Sequence, residues 1–144
     1  MRIAASALIL LILPLTIPSR AAESTAAAEH LRCEFRAEPL GIDVLQPRLS
    51  WEMHDSRRGA KQTAYQIIVA GTPEKLAAGE GDLWDSGRVE SDRTAHVEYA
   101  GKPLASRARC HWKVRLWDAD GKPTEYSKPA LWTMGLLQPE DVMA

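Results

Sequence analysis

The chain has 144 residues, with 18 Lys plus Arg against 19 Asp plus Glu and a formal net charge of −1. That near-neutral balance leaves no basic footprint for nucleic acid or an anionic membrane surface. Setting aside the expected leader and tether leaves about 110 residues, enough for one small domain with a single core.

The first 21 residues read as a secretory signal peptide. Arg2 supplies a short positive region, Ile3 to Ile17 is an uncharged apolar run, and Ser19-Arg20-Ala21 places small residues at −3 and −1 for cleavage after Ala21. The run falls short of the ~20 residues that span a bilayer, and Pro14 interrupts it. The mature protein is therefore expected to be secreted or periplasmic, with no membrane attachment after cleavage. Without Arg2 and Arg20 the balance is 16 basic (18 less 2) against 19 acidic residues. Residues 22–30, rich in Ala, are expected to form a flexible tether.

From Leu31 onward the chain alternates with period two. Leu31, Cys33 and Phe35 share one face. Leu49 and Trp51 follow Pro47. Tyr65, Ile67 and Val69 form a third run, Val97 and Tyr99 a further one. Cys110, Trp112, Val114 and Leu116 alternate with His111, Lys113, Arg115 and Trp117, and Leu131 to Met134 closes the series. Such runs, broken by Gly, Pro, Asp and Ser clusters, predict antiparallel strands with one face inward. One segment departs from the pattern. Thr72 as N-cap, Pro73 at the first helical position and Gly79 as the stop predict a short helix over 73–78. The fold class is all-β, an antiparallel sandwich of about seven strands with that one helix.

Several constellations imitate active sites. Asp118-Ala119-Asp120-Gly121 resembles the start of a calcium loop, but the twelfth position from Asp118 is Pro129, where an EF-hand places its bidentate glutamate. A hairpin turn is the simpler reading. Asp85-Ser86-Gly87 resembles the aspartic protease motif, which needs two copies sharing a proton; an Asp-initiated turn suffices. His30, His54, His96 and His111 form no metal or triad spacing, and His96 and His111 fall on outward strand positions. Asp82, Asp85, Glu90 and Asp92 crowd one region, yet a domain this small offers little room for a cleft with carboxylates ~5–9.5 Å apart. No catalytic residue, cofactor or metal is assigned.

The aromatics and cysteines leave choices open. Trp51 and Trp112 fall on inward faces and are expected in the core. Trp84, Trp117 and Trp132 are candidates for contact with another domain or a sugar; Trp117, out of phase with Trp112, is expected on the outer face. Cys33 and Cys110 are a candidate disulfide, favoured by export and by a count of two. Against it, the strands that carry them are expected in opposite sheets ~10 Å apart, whereas a bond needs Cα atoms within ~7 Å.

The order of Trp51, the Tyr-x-Ile-x-Val run at Tyr65, Leu104 and the Cys-x-Trp-x-Val-x-Leu strand resembles the fibronectin type III or immunoglobulin-like pattern, with Cys110 where the corner tyrosine usually stands. Whole phrases carry a closer likeness: LRCEFRAEPLGID, QPRLSW, RRGAKQTAYQIIVA, GDLWDSGRV, VEYAGKPLASRARCHWKVRLWDADGKPTEYS and ALWTMGLL. Over residues 31–137 they resemble the N-terminal β-sandwich of secreted bacterial α-L-rhamnosidases. In that family the module precedes further β domains and a helical-barrel catalytic domain, where two carboxylic acids hydrolyse terminal rhamnose with inversion. The resemblance implies a non-catalytic accessory module whose partners are the downstream domains of the same enzyme. It also implies that residues 138–144 begin a linker and that the chain lacks the catalytic domain. The alternative function is a free-standing carbohydrate-binding module contacting a rhamnose-containing glycan.

Overall fold

The computed structural model describes residues 24–143, so the signal peptide expected over residues 1–21 lies outside the described residues. Two antiparallel sheets face each other. The three-stranded sheet has the order β1 (Ala27–Cys33), β2 (Arg48–His54), β6 (Val97–Glu98). The five-stranded sheet has the order β4 (Trp84–Asp85), β3 (Ala64–Ala70), β7 (Arg109–Trp117), β8 (Ala130–Thr133), with β5 (Val89–Glu90) also on β3. This is an immunoglobulin-like all-β sandwich, and three of its strands are only two residues long.

Alternation builds the core as the sequence requires. Along β7, Cys110, Trp112, Val114 and Leu116 are buried while His111, Lys113 and Arg115 are half-buried. β3 and β7 pair without a break from Ala64↔Trp117 to Ala70↔His111, which locks that phase. Trp51 is 3% exposed and Trp112 1%. They join Leu49, Ile67, Val69 and Trp132 in one cluster between the sheets. The outward side of β3 is covered too: the helix α1 (Pro73–Ala77) lays Leu76 over Ile68 and Ala70, with Tyr126 alongside. Thr72 caps it, its Oγ1 accepting from Lys75 N at 3.2 Å.

The N-terminal part departs from expectation. β1 starts at Ala27, inside the segment expected to be a tether, and Ala26 and Ala28 are already buried. A register shift between Glu29 and Arg32, where His30 has φ 51°, then breaks the alternation, so Ala28 and Cys33 point inward and Leu31 is half-buried. Phe35 leaves the core altogether and is 48% exposed. Cys33 and Arg36 exchange backbone hydrogen bonds across Glu34 and Phe35, whose φ values of 48° and 63° make a tight turn with both central residues left-handed. Glu34 holds this turn by accepting from Arg48 Nη2 at 2.6 Å and from Arg48 N at 2.7 Å.

Candidate functional site

The three tryptophans proposed as contact residues sit in three different environments. Trp132 is 0% exposed, edge-on to Trp112 at 6.3 Å and to Tyr99 at 6.0 Å. It is a core residue, because its strand phase brings it between the sheets opposite Cys110. Trp117 does lie on the outer side of its sheet, but it is only 6% exposed. The guanidinium of Arg88 lies 4.8 Å from its ring centroid and that of Arg115 5.0 Å. The outer face expected to show an indole to water shows two arginines instead, whose guanidinium groups lie against the ring. Arg115 also stands 5.0 Å over Tyr126, which Lys113 approaches at 4.5 Å, so cations and rings alternate along this face. Trp84 alone of the three keeps partial exposure; it packs edge-on against Tyr99 at 5.4 Å on the short edge strand β4.

Tyr99 organises that edge. Its hydroxyl donates to the Lys102 carbonyl at 2.6 Å and lies 3.2 Å from the Leu83 carbonyl, and burial pushes its pKa up to about 12. The hydroxyl thus fastens the loop that follows β6 beside the edge strand β4. Gly101 is required there: a Cβ would come within 2.3 Å of the Leu83 carbonyl oxygen and 2.5 Å of Trp84 Cβ.

Three acidic residues of the 82–92 region, Asp82, Asp85 and Glu90, have separate partners. Asp82 accepts from Gly71 N at 3.0 Å and from Lys75 Nζ at 3.2 Å. Asp85 accepts from Gln66 Nε2 and from Gly87 N, both at 2.9 Å, the latter closing the turn read from its motif. Glu90 pairs with Arg88 at 2.6 Å. Such a distribution serves turns and strand edges.

Asp118 is the most strongly perturbed carboxylate. It is fully buried. It accepts from Asp120 N at 2.9 Å and Lys122 N at 3.0 Å, and from Arg57 Nη2 at 3.0 Å. Burial pushes its pKa up, but the bonds from Ser24, Lys122, Arg57 and Asp120 prevail and bring it to about 2. Asp118 therefore closes the hairpin turn between β7 and the following segment, with Gly121 at φ 72°. Through Arg57, which also pairs with Asp55 at 2.6 Å, it ties the 55–60 loop to that turn. Sequence reasoning recognised the turn but not the partner, which comes from 61 residues away.

A second buried polar group was missed as well. Gln62, 4% exposed, accepts from Trp51 Nε1 at 2.9 Å and donates to the carbonyls of Ser91 and Arg93 at 3.0 and 2.9 Å. Its signal was weak, a glutamine just ahead of an apolar strand. Cys33 and Cys110 are free thiols rather than the candidate disulfide. Both are buried in the same cluster, and burial raises each thiol to about 12. Neither can serve as a nucleophile at neutral pH. Among the described residues no group of three or more His, Cys, Asp or Glu is placed to hold a metal ion, and no helix is long and apolar enough to cross a membrane.

Comparison with known proteins gives this sandwich its family. Residues 28–138 match the model of the Rha78A-like, N-terminal immunoglobulin domain. An α-L-rhamnosidase of Streptomyces avermitilis is 47% identical over 104 residues, covering 72% of this chain and 10% of that protein. One from Formosa agariphila is 36% identical over 102 residues, covering 71% and 11%. The crystal structure of the Streptomyces avermitilis α-L-rhamnosidase complexed with L-rhamnose superposes with a TM-score of 0.76 at 43% identity, covering 80% of this chain and 11% of that one. The Dictyoglomus thermophilum α-L-rhamnosidase gives 0.78 at 36% identity, covering 80% and 13%. The chain spans about a tenth of the length of the curated relatives it matches. With the phrases from Leu31 to Leu137 and nearly all of the strands and core falling within the matched span, the chain belongs to the Rha78A-like N-terminal immunoglobulin domain family.

Proposed function

We propose that this domain is the non-catalytic N-terminal accessory module of an exported α-L-rhamnosidase, and that it packs against and positions the domains that follow it. The observation that carries this reading is the way the last described residues are held. Ser106 Oγ accepts from Leu137 N at 2.7 Å and bonds the Asp141 carboxylate, whose other contact is Gln138 N at 3.1 Å. Arg107 Nη2 donates to the Asp141 carbonyl at 3.3 Å. A 3-10 turn at Pro139–Val142, in the segment expected to begin a linker, is thereby pinned to the 104–107 loop. A segment held this way sets the direction in which a longer chain continues, which is what positioning requires. The scattered engagement of the carboxylates supports the non-catalytic part.

The sugar-binding alternative loses its main residue, because Trp117 and Trp132 present no open indole face. An aryl α-L-rhamnoside assay tests the proposal: purified residues 22–144 should give no turnover. Turnover abolished by a single Asp or Glu substitution in this chain would overturn it.

A further inference from the structure

Large apolar side chains exposed on this domain are concentrated beside the chain's C-terminal segment. Leu40 is 77% exposed, Val44 41% and Leu45 62%, all within one six-residue stretch of the β1–β2 connection. That stretch is not loose. Ile42 N donates to the Thr133 carbonyl and Gly135 N donates to the Ile42 carbonyl, both at 2.8 Å, and Gly41 N donates to Thr133 Oγ1 at 3.0 Å. Gly41 and Gly135 pack so closely that a Cβ on Gly135 would sit 3.1 Å from the Gly41 carbonyl oxygen. The next residue, Leu136, is itself 42% exposed. The loop is therefore stitched to the end of the last strand and holds its leucines outward on a fixed backbone.

Val44 and Leu45 form one wall of an open groove of about 730 Å³, whose other wall is Pro103 and Leu104, with Glu98 and Lys102 at its rim. Leu104 also lines a second groove, shared with Leu137 and Asp141, beneath the pinned 3-10 turn. The exposed side chains of Leu40, Val44, Leu45 and Leu136 thus stand beside the segment by which a longer chain leaves the sandwich, and Leu104, only 8% exposed, forms the floor that the two grooves share. An apolar strip rimmed by charges on a small domain marks an interaction surface. Its place beside the exit segment selects the occupant, because in a rhamnosidase-length chain the next domain would begin within reach of it. In the relatives nearly nine-tenths of the protein lies outside the matched module.

We propose that this face, carried by Leu40, Val44, Leu45 and Leu136, is the docking surface for an apolar patch of the domain that follows the module in a rhamnosidase-length chain. The proposal rests on the reading of the chain as an accessory module, and it names the surface that does the positioning. The groove between the edges of β1 and β8, lined by His30 and Lys128, lies away from the exit segment and is assigned no such role.

The test is a graft in which residues 24–143 of this chain, with the pinned turn at Pro139–Val142, replace the matching module of the Streptomyces avermitilis relative. Leu40→Glu with Leu45→Arg should leave the melting of the isolated chain unchanged, since both side chains already stand in water. In the graft the same pair should lower the melting temperature by several degrees and speed proteolytic release of the module severalfold. Lys128→Glu should do neither. A double variant that behaves like its parent graft, with the module still protected, would place docking on another face and overturn this inference alone. A parent graft released as fast as a module on a free linker, or one that does not assemble, would overturn the positioning reading and this inference with it. A dimer of the isolated chain that the double substitution dissociates, with the graft unaffected, would make a second copy the occupant and also overturn it.

Discussion

β7 and the segment from Cys33 to Pro47 meet opposite demands. Along β7 every second residue enters the core, seven consecutive partners on β3 stay in register, and the outward residues cover neighbouring rings. Between Cys33 and Pro47 the chain turns through three non-glycine residues with positive φ, exposes Phe35, Leu40, Val44 and Leu45, and is fastened by backbone bonds to Thr133 and Gly135. Residues with side chains adopt left-handed backbone at a cost of about 1–3 kcal/mol each, and they persist where the surroundings over-determine them. β7 holds the domain together, and the 33–47 segment shapes a surface. The difference teaches that alternation identifies what stabilises this sandwich, and that breaks in alternation identify what it presents.

The sharpest way to break that contrast is at the centre of β7. Trp112→Ala should destabilise the domain by ~3–5 kcal/mol, enough to unfold most small domains, because it empties the space shared with Trp132. Trp51→Ala should cost a similar ~3–5 kcal/mol and also strand Gln62 without its indole donor. Denaturant unfolding followed by circular dichroism checks both; a midpoint near the parent's would mean that the core described here is not the one that stabilises the protein.

Next in size comes the turn after β7. Asp118→Ala should cost about 1–3 kcal/mol by leaving two backbone N–H groups and Arg57 without their acceptor. Its folded pKa of about 2 lies below the ordinary 3.8, so its contribution is fully present above pH ~4 and is lost as pH falls through 2. Stability measured across that window should fall less steeply in Asp118→Asn than in the parent. An identical slope would remove Asp118 from the account.

The smallest effect belongs to the 33–47 segment. Phe35→Gly removes a contact with His96 at 5.2 Å and with Arg48 at 5.0 Å, but it also relieves a left-handed residue. The two should nearly cancel, leaving a change within about 1 kcal/mol in urea unfolding. A loss as large as that of Trp112→Ala would put Phe35 in the core and erase the contrast. The thiols offer a parallel check: a disulfide-exchange reagent at neutral pH should find both cysteines inert in the folded protein and both reactive once it is unfolded without reductant.

Legibility in the sequence followed the same division. β2, β3, β7 and the capped helix could be read because their apolar period or cap residues are local. The tight turn at Glu34 and Phe35 could not, since neither residue type favours positive φ and the Arg48 that secures it lies 14 residues on. The burial of Trp117 was equally hidden: phase gave its side of the sheet, but not that Arg88, from β5's approach, would close over it. Gln62 finds its partners 11 to 31 residues away, and Asp118, besides its local bonds to Asp120 N and Lys122 N, meets Arg57 from 61 residues away; these distant partners lie beyond the reach of any local pattern. Of the carboxylates that crowd the 82–92 region, Asp82, Asp85 and Glu90 each have their own partners, none of which the local sequence pattern alone identifies except the Gly87 N–H of the Asp85 turn.

The central claim is that this module is held by the domains it precedes. Scanning calorimetry of residues 22–144 alone and of the graft into the Streptomyces avermitilis relative tests it directly. A partner that binds only the folded module raises its apparent stability. The module should therefore melt at a higher temperature in the graft than alone, and Leu40→Glu with Leu45→Arg should return it towards the isolated value. A module that melts at the same temperature in both settings would contradict the claim.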